Sequence, residues 1–491
     1  MQTNGLMFQA FEWDLPADAQ HWERLRGAAP ELQEYGVDSL WLPPAHKGVS
    51  REDVGYGSYD LYDLGEFDQK NTVATKYGTI EELIALLETL HERGMRAYAD
   101  IVLNHKGGAD ETEIFRATPV NPEDRLSPVG ESRDIEGWTK FIFPGRQGKY
   151  SAFQWHFSHF TGVDFDQRTG EKGIFRIEGE DAGFSEKVDG EKGNFDYLMN
   201  ADIDVDNPDV RAELFRWGKW FFDRFPFDGM RMDAIKHIDS QFMHDFVLEM
   251  QDQVDRDLYV VGEYWTADLE TLYHYLDQVS YQLDLFDVPL HFKFFQAGQE
   301  KENFDLRTLF DDTLVASKPQ QAVTFVDNHD SQPGQSLESF VDDGFKIQAY
   351  ALILLRQDGY PCLFYGDYYG IGGGPGREEA LNPLLLARKD RAYGEQIDNF
   401  FDPNCIAFAR LGDADHPHSG LVCLVSNGYA PEGYHCRMEL GPDRAGQIFY
   451  DVTGRHEGTL TLDDQGGAEF FVGQNSLAVW VEQVDQREEI R

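Results

Sequence analysis

From residue 6 onward, short apolar runs alternate with longer segments whose apolar positions recur every three to four residues. The first run, LMFQAFEW (6–13), precedes HWERLRGAAPELQEYG (21–36), where Leu25, Ala28, Leu32 and Tyr35 share one helical side before Gly36. VDSLWLP (37–43) reads as a strand, TIEELIALLETLHERG (79–94) as a helix closed by Gly94, and MRAYADIVLNH (95–105) as the next strand. After His105 the rhythm breaks for roughly a hundred residues into polar, Gly/Pro-bearing stretches such as NPEDRLSPVGESRD (121–134) and short strand candidates, too long for a loop, so an inserted domain is predicted. The alternation then resumes. NPDVRAELFRWGKWFFDRF (207–225) is helical with Pro208 in its first turn, FDGMRMDA (227–234) is a strand, SQFMHDFVLEMQDQV (240–254) a helix and LYVVGEYW (258–265) a strand. The helix ADLETLYHYLDQ (267–278) follows, then the strands YQLDLFDVPL (281–290) and AVTFVDNHD (322–330), the helix FKIQAYALILLRQDG (345–359) and the strand PCLFYGD (361–367). Eight strands, each followed by a helix or a long segment, predict an α/β fold of the (β/α)8 TIM-barrel type rather than a doubly wound sheet.

From about residue 396 the period changes to alternating strands and turns: CIAFARL, GLVCLVSNG, YHCRMELG, QIFYDVTG, GTLTLDDQGGAEFFV and SLAVWVE. A small antiparallel β-sandwich is expected. The predicted organisation is a barrel in two parts, 1–104 and 208–395, an inserted domain at 105–207 and a carboxyl-terminal sandwich at 396–491.

Composition narrows the partners. With 88 acidic against 43 basic side chains and a formal charge of −45, a highly solvated surface, of the kind adapted to high salt, is expected, and nucleic acid is not expected as a partner. Aromatic residues at 14% suit a folded protein carrying a surface of rings. Cys362, Cys405, Cys423 and Cys436 form no CxxC pair and read as core thiols. The amino terminus shows no basic and apolar leader pattern, and no segment reaches the roughly 20 apolar residues of a membrane span. The expectation is a cytoplasmic, monomeric enzyme with no membrane partner, or a secreted one if a leader has been removed.

The chemistry concentrates at strand ends. In GMRMDAIKH (229–237), Arg231 and Asp233 share one face of a strand while Met230 and Met232 face the other, so the charged pair points into the barrel. A guanidinium beside Asp233 is expected to keep it ionised, as a nucleophile requires. On the next strand Glu263 stands among Val260, Val261 and two aromatics, surroundings that favour a protonated carboxyl and suit an acid. His329 and Asp330 close a later strand. Carboxylates at the carboxyl ends of barrel strands converge on the mouth, and one that attacks beside one that donates a proton is the pair glycoside hydrolysis uses.

DIVLNH (100–105), GMRMDAIKH (229–237), GEYW (262–265) and FVDNHD (325–330), with LMNADID (198–204) in the inserted domain, resemble the ordered motifs of the α-amylase family of retaining glycoside hydrolases, of the bacterial liquefying and cytoplasmic type. The resemblance implies Asp233 as nucleophile, Glu263 as acid and then base, and Asp330 as the residue that holds sugar hydroxyls. It further implies substrate contacts from Tyr56, His105, Arg231, Lys236, His237 and His329, with Trp13 and Trp265 as additional rings. It implies Ca2+ held by Asn104, Asp196, Asp202 and the carbonyl oxygen of His237, joining the barrel to the inserted B domain. The sequence departs from the family where Ser185 stands in place of a further metal-binding aspartate, and where DPNC (402–405) replaces a His-Asp pair near the third domain. Asp164 remains as an isolated ligand of that second site. The implied activity is endohydrolysis of α-1,4 bonds in starch, glycogen or maltodextrins. A 4-α-glucanotransferase shares the same carboxylates, and a silent glucan-binding protein is the remaining alternative.

Overall fold

The computed structural model describes residues 4–179, 183–254 and 256–484. Eight parallel strands close into a barrel: β1 Met7–Gln9, β2 Ser39–Trp41, β3 Arg96–Ile101, β4 Gly229–Met232, β5 Tyr259–Gly262, β6 Asp284–Phe286, β7 Ala322–Phe325 and β8 Tyr360–Phe364. Each pairs with the next, and β8 returns to β1, so chain order and barrel order coincide. Seven fall within the predicted runs, and β8 begins one residue before its run, at Tyr360. Strands covered on both faces must be apolar nearly throughout, which is why they stand out in the sequence.

The main outer helices are α1 His21–Glu34, α2 Ile80–Glu92, α3 Pro208–Arg224, α4 Ser240–Gln253, α5 Leu269–Gln278, α6 Val288–Glu300, α7 Asp343–Leu355 and α8 Glu378–Asp390. Their starts follow capping chemistry. Thr79 accepts the Glu82 amide while the Glu82 carboxylate takes the Thr79 amide, and Asn207 caps α3 ahead of Pro208. Helix α6 corrects the sequence reading. YQLDLFDVPL is a strand only to Phe286, because the Asp287 carboxylate accepts the Leu290 amide and Pro289 sits in the first turn, so the chain turns helical at once. Helix α8 was also unread; Pro383 within it masks its period.

Between β3 and α3 the inserted segment is more regular than its polar sequence suggests. It forms a seven-stranded antiparallel sheet that includes the 11-residue strand Glu111–Asn121. His105–Lys106 pairs with Ala201–Ile203, placing His105 opposite Asp202. This sheet is thereby tied to the end of β3. Beyond α8, six strands form one antiparallel sheet, and Tyr434–Glu439 pairs with Gly467–Val472 in a second, over a core of its own. GTLTLDDQGGAEFFV is therefore two strands in different sheets, Thr459–Thr461 and Gly467–Val472, separated by its acidic and glycine turn. All four cysteines are buried free thiols. Among the described residues no helix is long and apolar enough to cross a membrane.

Candidate active site

Strands β3, β4 and β5 bring Asp100, Arg231 and Val261 into register across the barrel, and the chain beyond each strand end supplies the reactive groups. Arg231 is wholly buried and its Nη1 donates to Asp233 Oδ1 at 2.6 Å and to Asp100 Oδ1 at 3.0 Å. Its Nη2 lies 2.8 Å from Glu263 Oε2 as an ion-pair contact too bent for a hydrogen bond, so Nη2 and Nε have no bonded acceptor. Met230 and Met232 pack outward into the core, as the period-two reading requires. One guanidinium thus bridges Asp233 and Glu263 at adjacent strand ends.

The backbone fixes the same pair. Asp233 N–H donates to the Ile101 carbonyl and Glu263 N–H to the Met232 carbonyl, both at 3.0 Å. Ala234, immediately after Asp233, adopts a left-handed conformation (φ 50°, ψ 37°), and its N–H donates to Glu263 Oε2 at 3.1 Å. A β-carbon in that region is strained, and such strain collects at functional sites. Glu263 is accordingly in more polar surroundings than its apolar sequence neighbours suggest.

Electrostatics revise one expectation. Burial raises the pKa of Asp233, Glu263 and Asp100 raise it further, and Arg231 opposes them without prevailing, so the arginine alone does not hold Asp233 as a permanent anion. Asp330 is raised well above the usual carboxylate range by burial first and then by Glu263. Burial disfavours the charge on Arg231, but Asp100, Glu263, Tyr56 and Asp233 together raise its pKa and keep it cationic.

Across the mouth, His329 Nε2 lies 3.2 Å from Asp330 Oδ2. The Gln9 amide nitrogen lies 2.9 Å from Nδ1, which places the imidazole proton on Nε2, toward Asp330. Burial drives His329 well below its ordinary pKa, so the ring is neutral. Tyr56 lies nearly parallel to His329 (centroids 5.0 Å, 15°) and to Trp13 (5.9 Å, 8°), forming a wall of rings. Its hydroxyl donates to Asp100 Oδ2 at 2.8 Å, where Trp41 Nε1 also donates at 3.0 Å. His105 joins from behind, with Nε2 donating to the Tyr56 carbonyl at 2.7 Å; burial pushes its pKa down to about 4.

Lys236 and His237 turn away from the carboxylates toward the inserted domain. Lys236 Nζ donates to Glu191 Oε2 at 2.8 Å and to the Trp265 carbonyl, and His237 Nδ1 donates to the Phe195 carbonyl at 2.7 Å. The Trp265 ring packs against His291 and Phe292 rather than joining the ring wall. Asp100, Trp41 and Gln9 were missed as site residues. Asp100 had a signal, because it alternates correctly on β3 to face Arg231.

Of the residues implied for a cation, Asn104, Asp196 and Asp202 meet. Asn104 Nδ2 donates to Asp202 Oδ1 at 3.0 Å, and Thr161 donates to Asp202 Oδ2 at 2.5 Å. Asn104 Oδ1 and Asp196 Oδ2 are buried with no hydrogen-bond partner among the described residues. Burial raises Asp196, and burial together with Asp196 raises Asp202, the signature of adjoining carboxylates without a counter-charge. Ser185 is buried and donates to Asp206 Oδ2, while Asp164 accepts the Asn200 amide; residues 180–182, at the start of that segment, lie outside the described residues.

A carboxylate pair bridged by one arginine at the mouth of a (β/α)8 barrel, facing a wall of rings, is the equipment of a glycoside hydrolase. Residues 23–162 and 179–402 match the family described as alpha amylase, catalytic domain. The chain is 47% identical over 480 residues to an alpha-amylase of Geobacillus stearothermophilus, covering 97% of this chain and 87% of that protein. It is 40% identical over 493 residues to the cytoplasmic alpha-amylase of Escherichia coli (strain K12), covering 97% and 99%. The solved alpha-amylase from Geobacillus thermoleovorans, complexed with acarbose, superposes with a TM-score of 0.64 at 17% identity over 99% of this chain and 100% of that one, which bears on the fold alone. The chain belongs to the α-amylase family. It is a glycoside hydrolase of the alpha-amylase type, hydrolysing starch.

Proposed function

We propose that Asp233 attacks the anomeric carbon and that Glu263 protonates the departing glycosidic oxygen, then deprotonates the water that releases the sugar. The observation that carries this reading is the single Arg231 fork touching both carboxylates, Asp233 at 2.6 Å and Glu263 at 2.8 Å. Retention needs the two carboxyl groups about 5–5.5 Å apart, and a shared fork suits that gap. Attack consumes the negative charge of Asp233, and Arg231 stays cationic throughout. Asp330, faced by the Nε2–H of neutral His329, holds hydroxyls of the sugar whose ring flattens in the transition state. Tyr56 and Trp13 give that sugar an apolar face, while Lys236 and His237 support the leaving-group side.

Asn104, Asp196, Asp202 and the His237 carbonyl would hold Ca2+, since hard oxygen donors with unpaired lone pairs fit this ion. When bound, the ion neutralises the adjoining carboxylates and joins β3 to the inserted sheet. The junction with the third domain does not fit a cation. There the Asn404 amide donates to the Glu302 carbonyl at 2.7 Å, and Asn427 donates to the carbonyls of Lys301 and Phe304, both at 2.8 Å, so amides already fill the acceptors.

Likeness to the Escherichia coli enzyme supports a cytoplasmic location. One chain carries every proposed site residue, which supports action as a monomer on an α-glucan. Trapping with a fluorinated α-glucosyl fluoride followed by peptide mass spectrometry tests the mechanism; label on any carboxylate other than Asp233 overturns it. Incubation with maltoheptaose separates hydrolysis from glucanotransfer. Hydrolysis raises the number of reducing ends, whereas transfer lengthens chains without doing so.

A further inference from the structure

A second cluster of buried charges lies beneath the mouth, and no part of the mechanism above uses it. Lys346, on α7, donates to Asp327 Oδ2 at 2.8 Å and to Asp367 Oδ1 at 2.7 Å, and all three side chains are 0% exposed. Asp367 is completed by the Tyr350 hydroxyl at 2.7 Å and by Arg377 at 3.4 Å. Asp327 lies just past β7, three residues before Asp330. Its Oδ1 accepts the Ser331 hydroxyl at 2.8 Å, and the Ser331 oxygen in turn accepts the Asn328 amide at 3.0 Å. The Asn328 side-chain oxygen then accepts the backbone amides of Asp330 at 2.9 Å and Ser331 at 2.8 Å. An unbroken run of hydrogen bonds therefore leads from Lys346 to the backbone of Asp330.

Asp330 needs such an anchor. Burial first, and then the charges of Glu263 and Asp233, disfavour an ionised Asp330, with Arg231 opposing them. The turn carrying it is irregular backbone beyond the end of β7, so strand pairing does not hold it. The same turn fixes the ring wall, because Gln332 Oε1 accepts the Trp13 amide at 3.1 Å.

We propose that Lys346, acting through Asp327 and Ser331, is a positioning residue that holds Asp330 against its like-charged neighbours in the geometry the transition state requires. The proposal rests on the reading of Asp330 given above. Lys346 and Ser331 are wholly buried, out of reach of a sugar in the mouth, so their effect belongs to kcat rather than to ground-state binding.

The test compares Ser331→Ala, Lys346→Met, Asp330→Asn and the double variant Asp330→Asn/Ser331→Ala. Turnover of maltoheptaose is measured per competent site, counted by fluorinated-glycoside labelling, alongside melting temperature. Ser331→Ala removes the middle link without stranding a charge, so it stands as the test even where Lys346→Met fails to fold. Ser331→Ala is expected to lower kcat per site about ten- to a hundredfold with KM within about twofold, the scale of a misplaced catalytic group. The double variant is expected to be no slower than Asp330→Asn alone, because the serine acts only through the aspartate. A purely structural serine would lower the melting temperature or the count of competent sites and leave kcat per site unchanged, which overturns the proposal. Full multiplication of the two single effects overturns it as well. Wild-type turnover in Asp330→Asn would instead remove Asp330 from its role, a separate failure.

Discussion

Two clusters of buried charge stand at the carboxyl ends of barrel strands, and they are built in opposite ways. Around Lys346, two carboxylates meet one ammonium and one guanidinium, and both oxygens of each carboxylate have donors. Around Arg231, three carboxylates share one guanidinium, two of whose nitrogens lack a bonded acceptor. In the first cluster Lys346, Asp327 and Asp367 are sealed at 0% exposure and Arg377 alone reaches solvent, while the Asp233 and Glu263 side chains remain 9% exposed. A satisfied cluster fixes geometry; an over-acidic one with open valences is poised to give and take protons. The difference separates scaffold from reactive centre more sharply than burial does, since both are buried.

The sharpest break in this contrast comes from Glu263→Gln, which keeps the shape and removes the proton. A fall in kcat of about 10²–10⁴-fold is expected, with maltoheptaose affinity retained by calorimetric titration; normal turnover would remove Glu263 from the reactive cluster. Next, Arg231→Met strands three buried carboxylates and should destabilise by about 3–5 kcal/mol in urea unfolding at neutral pH. Lys346→Met should cost at least as much, because its sealed surroundings admit less water; the reverse order would erase the distinction. Chelation removes the counter-charge proposed for Asp196 and Asp202. It should lower the melting temperature by several degrees, restored by Ca2+, and expose the inserted domain to proteolysis, whereas the Lys346 cluster should be indifferent.

The smallest effect is the most specific. Asp100 raises the pKa of Asp233 and also draws on Arg231. Asp100→Asn should therefore move the acid limb of kcat/KM to lower pH by about half a unit or more. The sign for stability runs the other way. A carboxyl whose folded pKa exceeds its unfolded value binds its proton more tightly in the native state, so stability falls as pH rises between those two values. Across that window the wild type gains nucleophile while losing stability, and Asp100→Asn should narrow the window and reduce the stability lost across it. An acid limb left in place would show that Asp100 does not tune Asp233.

Much of this was legible in the sequence, for a physical reason. Doubly covered strands need apolar runs, so the barrel announced itself, and Arg231 with Asp233 two residues apart had to share a face. Partners distant in sequence were harder to read. Asp100 is 131 positions from Arg231, and only the register of β3 with β4 joins them. Lys346 sits in the near-continuous apolar helix α7, where one lysine reads as an interruption, and its two carboxylates come from other strand ends. The inserted domain showed only short strand candidates, and its continuous sheet was not legible because its strands are half exposed and carry charge. Asp233 was read as an anion from its nearest neighbour alone, whereas burial and two further acids decide the matter.

The left-handed turn at Ala234 has a consequence of its own. For an L-residue that conformation costs roughly 1–2 kcal/mol relative to the ordinary helical basin, and glycine would largely escape the cost. The same twist delivers the peptide N–H of Ala234, just past β4, to the Glu263 carboxylate at the end of β5. The catalyst therefore forgoes a more comfortable backbone so that one dipole stays aimed, and a glycine substitution there would trade catalytic accuracy for durability.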